Sequence, residues 1–331
     1  MSPVLSKMNS FYIQNKQRLL NLFSSSTKPE FSLVGDKCAL CVYDKEFAIV
    51  YSSQDGNKVK IKFAGSYPYN NLFDLYTILA QFVKSHNLKN IYCLWILQPE
   101  DYQLLITDAL PVLPSEFQSA IRFKVKDLLH FPIDDVVIDS FQVPIFKVDN
   151  PIKIMLVAAQ SSKLLNISDR INRAGLNLKV IDIPELALRN IASLYETEGQ
   201  SIALIYAQEK NIHLLITLQK EIYVTRNLMF SLGLTEISDQ AILQQRIEHL
   251  TTEIQRSFGY YQSQWRQVIP GRILFASPRK VKEEVILLLS QQLRLPVEIL
   301  NLNQVGIETN LTNDQQGKYL PIIGGLLRAM D

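Results

Sequence analysis

Glycine is scarce in this chain, 12 among 331 residues. Loops that hold phosphate against bare backbone need glycine, so a fold rich in such loops is not expected, although a single one is not excluded. Cysteine is scarcer, with three residues. An odd and low count excludes a disulfide framework and fits a reducing compartment. Neither sign of charge dominates: 34 basic against 32 acidic residues leave +2. No strong field therefore favours nucleic acid or an acidic partner, and no motif of the usual nucleic-acid modules is present. Long apolar runs are also missing. Candidates such as 91–97 and 286–289 are core-sized and far short of the roughly 20 residues of a membrane span. The N-terminus does not read as a secretory signal, because Lys7, Asn15, Lys16, Gln17 and Arg18 interrupt its apolar residues and no small-residue cleavage pattern follows. The expectation is a cytoplasmic protein.

What is present is core material. The chain is 47% hydrophobic and 20% charged, the balance of a soluble globular protein, and its length suits two domains. Cys38 and Cys41 form a lone Cys-x-x-Cys at the start of an expected strand. Positions three apart on a strand point to opposite faces, and no second pair completes a zinc site. His86, His130, His213 and His249 have neither ligand spacing nor a paired nucleophile. No metal and no cofactor is expected.

Residues 1–30 form a distinct leader. Phe11, Tyr12, Leu19, Leu20, Leu22 and Phe23 are apolar, Lys7, Lys16, Arg18 and Lys28 basic, and only Glu30 acidic. Residues 9–23 suit a short amphipathic helix and 24–29 a linker. The leader is either a weak membrane-surface or partner anchor, or a helix or tail belonging to its own domain. Then strands and helices alternate. Strands are expected at 33–43, 47–52, 58–64, 90–97, 102–108, 136–143, 152–160 and 178–183. Helices are expected at 71–86, 115–129 with Ser115 as N-cap, 161–174 closed by Gly175, and 184–195. Residues 197–200 read as a hinge. The second half repeats the plan: strands within 201–227, a helix at 239–264, a strand at 273–276, a helix at 279–293, a strand at 297–300 and a helix at 319–330.

Each half opens with the same device, an apolar run, a short polar turn and another apolar run, at 39–51 and at 202–216. Both read as β-hairpins. Their turns carry Tyr43, Asp44, Lys45 and Glu46, and then Gln208, Glu209 and Lys210.

Several stretches carry a resemblance. Glu253-Ile-Gln-Arg-Ser-Phe-Gly-Tyr-Tyr261 resembles a Glu-x-x-Arg-Ser-Leu-x-Tyr-Tyr helix of the PilM family of type IV pilus assembly proteins. Leu156-Val-Ala-Ala159, Ala174-Gly-Leu176 and Val180-Ile-Asp-Ile-Pro-Glu-Leu-Ala-Leu188 resemble further signatures of that family. So do Leu110-Pro111, Phe131-Pro132, Val137-Ile-Asp139 and Val224-Thr-Arg226. No single motif decides it; their order and spacing, over most of 31–330, make the chain similar to the family and most of all to its MshI branch. For individual residues the plainer reading stands beside this one: Arg256, Tyr260 and Tyr261 as a packed helix face, Asp139 and Asp182 as caps.

The resemblance implies an α/β fold, that of the two-domain actin-like ATPases with a small α/β subdomain inserted in the first domain. The divisions would be the leader at 1–30, a first domain at 31–198 with its insert at about 98–175, and a second domain at 199–331. In that fold the two hairpins grip ATP. Its nucleotide-binding members carry Asp-Ile-Gly-Ser-Ser in the first hairpin, Asp-Ile-Gly-x-x-x-Thr in the second, and Gly-Gly in an adenosine loop. Here Cys41 and Tyr43 stand at the first Asp and Gly, Tyr206 and Gln208 at the second pair, and Ala276-Ser277 at the third. Bulky residues block the approach of phosphate, and loss of the aspartates removes the Mg²⁺ organisers. The turn acids Asp44, Glu46 and Glu209 repel phosphate, while Lys45 and Lys210 partly offset them.

The function implied is a pseudo-ATPase adaptor, peripheral at the inner membrane. It would bind the cytoplasmic N-terminal peptide of a bitopic PilN- or MshJ-like protein and contact other pilus-platform proteins, but no nucleic acid. The peptide groove would lie by the insert, at Arg122, Phe123, Lys126 and Phe131; the plainer alternatives are a solvated helix face for Arg122 and Lys126 and core packing for Phe123. The alternatives at the level of function are a divergent actin-like ATPase, or the soluble arm of a GspL-like type II secretion scaffold.

Overall fold

The computed structural model describes residues 35–55, 58–144, 152–230 and 240–328. The leader, with its expected helix at 9–23, lies outside them. The first domain begins with a meander of β1 (Gly35–Val42), β2 (Glu46–Asp55) and β3 (Lys58–Pro68). Helix α1 (Leu72–Ser85) follows, and its start is chemically specified. The Asn71 side-chain oxygen Oδ1 accepts from the N–H groups of Phe73 at 2.9 Å and Asp74 at 3.1 Å, and Asp74 and Lys84 complement the helix dipole. β4 (Tyr92–Ile96) then pairs parallel to β1.

The chain next leaves this sheet to build the insert. β5 (Tyr102–Asp108), α2 (Pro114–Val125), β6 (Val136–Gln142) and β7 (Lys153–Gln160) form a three-stranded antiparallel sheet in the order β5-β7-β6. Ile121 and Val125 of α2 pack on Val136, Ile138, Ile154 and Leu156 of its strands. The N-cap is Leu113 rather than Ser115, because Pro114 already serves as the first helical residue, and the helix ends at Val125 in a short 3₁₀ turn. α3 (Ser161–Arg173), placed with the insert in the expectation, packs instead on α1 and on β8 (Asn177–Asp182) of the first domain. Gly175, at φ +103°, closes it as expected. α4 (Pro184–Ser193) completes the first half.

The turn at 197–200 leads into the second domain. β9 (Ile202–Ala207), β10 (Ile212–Leu218) and β11 (Glu221–Leu228) form the second meander. α5 (Gln240–Trp265), β12 (Ile273–Ala276), α6 (Glu283–Leu293) and β13 (Val297–Ile299) follow. α6 starts four residues later than expected, since 279–282 form an irregular loop after Pro278. The chain then returns to the first domain with β14 (Ile307–Glu308), α7 (Asn313–Lys318) and α8 (Leu320–Leu326). The helix expected at 319–330 is α8, preceded by the unexpected α7 and separated from it at Tyr319 ahead of Pro321.

The sheet orders expose the duplication. The first is β14-β3-β2-β1-β4-β8 and the second β11-β10-β9-β12-β13. Apart from β14, each has a meander whose first strand is followed, on its free side, by two parallel strands. α4 and α8 form the seam between them. α4 lies on β9, β10 and β11, although it belongs to the first half of the chain; α8 lies on β1, β2 and β4, although it follows the second domain. Across the seam the Asn190 side-chain N–H donates to the Gly324 carbonyl at 3.0 Å. The insert also reaches the second domain. Val143 and Met155 join its core, and the Trp265 indole N–H donates to the Pro144 carbonyl at 3.0 Å. Among the described residues no helix is long and apolar enough to cross a membrane.

Candidate functional site

Both hairpin turns lie where the two domains meet. In the first, the Tyr43 N–H donates to the Glu46 carbonyl at 2.8 Å; in the second, the Gln208 N–H donates to the Asn211 carbonyl at 2.9 Å. Neither turn contains a residue at positive φ. Their geometry alone does not call for glycine, and bulky residues fit. The Tyr69 N–H donates to the Lys45 carbonyl at 2.9 Å and its hydroxyl to the Tyr43 carbonyl, which fixes the first turn from below.

Side chains fill the space between the turns. Cys41 is 2% exposed and Tyr206 3%. The Cys41 thiol donates to the Ile96 carbonyl at 3.1 Å and accepts from the Gln98 amide. Burial, and after it the neighbouring Cys41 and Tyr206, push the Tyr43 phenol well above its ordinary range. Burial first and Cys41 second raise Tyr206. One residue from β1, one from each turn region and Gln98 from just past β4 thus form a single cluster across the two domains, with Cys41 and Tyr206 buried and Tyr43 and Gln98 half-buried. Gln98 escaped sequence reasoning, and no sequence signal marked it. Ala276 and Ser277 are buried as well. A Cβ added to Gly317 of α7 would fall 1.8 Å from the Ser277 carbonyl oxygen, so α7 backbone lies directly on that loop. A cavity of about 310 Å³ opens on the hinge, lined by Thr197, Gln200, Arg272 and Glu298. Among the described residues no His, Cys, Asp or Glu cluster has the makings of a metal site.

His213, on β10 beside Tyr206, extends the cluster with rings 6.3 Å apart. Its Nδ1 has no hydrogen-bond partner, and burial lowers its pKa to about 4 from 6.5. The native state therefore holds it neutral, while the unfolded chain takes up a proton below about pH 6.5. Its contribution is complete above pH 6.5 and is lost as pH falls toward 4, about 3 kcal/mol in all. The difference in stability between wild type and His213→Gln is expected to shrink by that amount over this window, measured by urea unfolding. A constant difference would refute the buried neutral imidazole.

The four expected peptide-binding residues divide. The Arg122 guanidinium donates to the Val136 carbonyl at 2.9 Å and to the Ile133 carbonyl, so it staples α2 to the loop before β6. Phe131 packs on the insert's core. Phe123, by contrast, is 74% exposed, with the Lys126 ammonium 4.7 Å above its ring. Leu113, Leu128 and Ile106 are further exposed apolar residues of the insert.

The Glu253–Tyr261 stretch proves to be a fastening. Glu253 pairs with Arg226 of β11 at 2.9 Å and with Arg256 at 2.5 Å, and Arg226 also donates to the Ser257 hydroxyl at 3.0 Å. The two arginines hold the Glu253 carboxyl below its ordinary range against the desolvation that opposes them. Tyr261 is buried. These residues pin α5 to the edge of the second sheet.

No family model and no curated protein sequence matches the chain. Solved structures do. A chain of the PilM-PilN type IV pilus biogenesis complex superposes with a TM-score of 0.63 at 18% identity, covering 88% of this chain and 96% of that one. The cytoplasmic domain of EpsL, an inner-membrane component of the type II secretion system of Vibrio cholerae, gives 0.47 at 11% identity, over 78% and 94%. A Bacteroides thetaiotaomicron protein with an actin-like ATPase fold gives 0.46 at 6%, over 86% and 95%. The fold is the two-domain α/β fold of the actin-like ATPases.

Proposed function

We propose that this chain is a non-catalytic, PilM/MshI-like adaptor of a type IV pilus assembly platform. It works at the cytoplasmic face of the inner membrane, where it holds the cytoplasmic peptide of a bitopic, PilN-like partner. The observation that carries the pseudo-ATPase half is the cleft. Cys41, Tyr43, Gln98 and Tyr206 occupy the ground between the two hairpins, where phosphate would need open backbone donors and Mg²⁺ an acid. Support for the adaptor half is the fold shared with a chain of the PilM-PilN complex and the exposed apolar residues of the insert. Phe123, Leu113 and Leu128 suit apolar anchors of a short peptide. Arg122 serves that surface indirectly, by holding α2 in place.

Thermal unfolding with and without millimolar MgATP tests the first half. A ligand of the native state stabilises it by RT ln(1 + [L]/Kd); no shift in the midpoint is expected. A clear rise would overturn the pseudo-ATPase reading in favour of a divergent ATPase. Fluorescence anisotropy with the partner's labelled N-terminal peptide tests the second. Phe123→Ser is expected to weaken binding about tenfold, the scale of a buried aromatic anchor, with the unfolding midpoint unchanged. Arg122→Ala is expected to lower the midpoint instead. Binding insensitive to Phe123 would place the peptide elsewhere.

A further inference from the structure

We propose that the partner peptide is held as an added strand along the free edge of β5, its backbone bonded to the backbone of Leu104 and Ile106. The proposal rests on the adaptor reading above and gives it a place and a binding mode.

An open sheet edge is a template for another strand, and proteins protect the edges they do not use. The three sheets have six edges, and five of them are protected. β14 and β13 are two and three residues long. β8 is bulged at the exposed Lys179, because Leu178 and Val180 stand opposite consecutive residues of β4. β11 is bulged in the same way at Tyr223. On β6 the Arg122 guanidinium donates to the Val136 carbonyl at 2.9 Å, and the Gln118 amide to the Ile138 carbonyl at 3.4 Å. β5 has none of these devices. It runs for seven residues, pairs with β7 without a register shift, and contains no Lys, Arg or Pro.

The register settles which of its groups are free. The Ala109 N–H donates to the Ile152 carbonyl at 2.6 Å, so alternate residues back from Ala109 face β7. Thr107, Leu105 and Gln103 therefore bond to β7, while Asp108, Ile106 and Leu104 turn their N–H and C=O groups outward. The Asp108 carbonyl receives the Lys124 ammonium at 2.9 Å. The outward groups of Leu104 and Ile106 have no partner among the described residues. Apolar side chains flank them. Ile106 is 59% exposed on one face of the edge. On the other face the Gln103 amide donates to the Leu128 carbonyl at 2.7 Å, which sets the exposed Leu128 beside Leu105. An extended segment with apolar side chains would cover both faces while its backbone completes the ladder.

A second copy of this chain fits the edge less well, because it brings its domains with it. The Tyr102 hydroxyl, at the start of β5, donates to Glu185 of α4 at 2.5 Å, and Leu104 packs on the cores of both domains. The domains thus stand behind the face that carries Ile106. Antiparallel pairing of two copies would set both bodies on that one face, side by side. A peptide has no body to place.

The test is amide hydrogen exchange of the full chain, followed by NMR, with and without the N-terminal cytoplasmic peptide of the PilN-like partner. The peptide is expected to slow the Leu104 and Ile106 N–H groups at least tenfold and to leave those of Leu105 and Thr107, already bonded to β7, unchanged. N-methylation of the peptide, one residue at a time, should weaken binding about tenfold at every other position, since alternate N–H groups of an added strand face β5. Ile106→Pro removes an outward donor and spares the ladder to β7. It is expected to weaken binding about tenfold with the unfolding midpoint close to wild type. A peptide that binds without protecting Leu104 and Ile106, or without alternation, would overturn the added strand and leave the adaptor standing. A peptide that does not bind would overturn both. A dimer by light scattering that Ile106→Pro returns to monomer would give the edge to a second copy and overturn the proposal as well.

Discussion

Gly324→Ala is expected to lower stability by about 3 kcal/mol or more, because it forces backbone against backbone. A Cβ at Gly324 would fall 2.1 Å from the Ala187 carbonyl oxygen and 2.6 Å from its carbon. No rotamer relieves that contact, since both partners are main chain, and overpacking of this kind lies at the severe end of its range. The cost falls on the α4–α8 crossing, the seam between the two sheets. Gly259→Ala is the control. Gly259 sits inside α5 with nothing within 4 Å of an added Cβ, so alanine there is expected to gain up to about 1 kcal/mol of helix propensity. Denaturant unfolding of both variants measures the contrast. Equal midpoints would show that the seam is loose, and with it the idea that these domains are held in one relation.

Much of this was legible in the sequence, for identifiable reasons. The hairpins declared themselves because continuous apolar runs flanked two-residue polar turns. Once the turns were fixed, so was the register that puts Cys41, Tyr43, Tyr206 and Gln208 at the domain junction. The exchange of α4 and α8 between halves was not legible. Periodicity reports that a helix buries a face, not which sheet receives it. β14 was missed because two residues hold no alternation, and Ser115 was misread because Pro114 starts the helix one residue earlier. Arg122 shows the deeper limit. A cation on a helix among exposed neighbours reads as a binding residue, yet its guanidinium is spent on two carbonyls that only the fold brings within reach. Gln98 belongs to the cleft through tertiary contact alone, whereas His213 follows Tyr206 through the register of the second hairpin.

Arg328→Met is expected to cost about 3 kcal/mol. Arg328, just past α8, pairs with Asp182 at the end of β8 at 2.8 Å, with side chains 5% and 2% exposed. Removing one partner strands a buried charge, which is far worse than never having had the pair. Arg189 of α4 softens the loss. Burial lowers its pKa while the charge of Asp182 raises it, so a second guanidinium still answers part of the carboxylate's field, which keeps the cost at the lower end of that range. The double variant Asp182→Asn, Arg328→Met is expected to recover part of the stability, because it removes the stranded carboxylate while leaving the buried Arg189 without it. Urea midpoints of the three variants close the cycle, and additive losses would mean that the pair is not coupled. The consequence reaches past stability. Asp182 ends the strand next to β4, from which the insert departs, and the Leu97 N–H donates to the Asp182 carbonyl at 2.8 Å. Arg328 thus fastens the last described turn of the chain to the root of the insert. If the insert is where a partner peptide is held, weakening this pair should loosen peptide binding even though neither residue lies on the peptide surface.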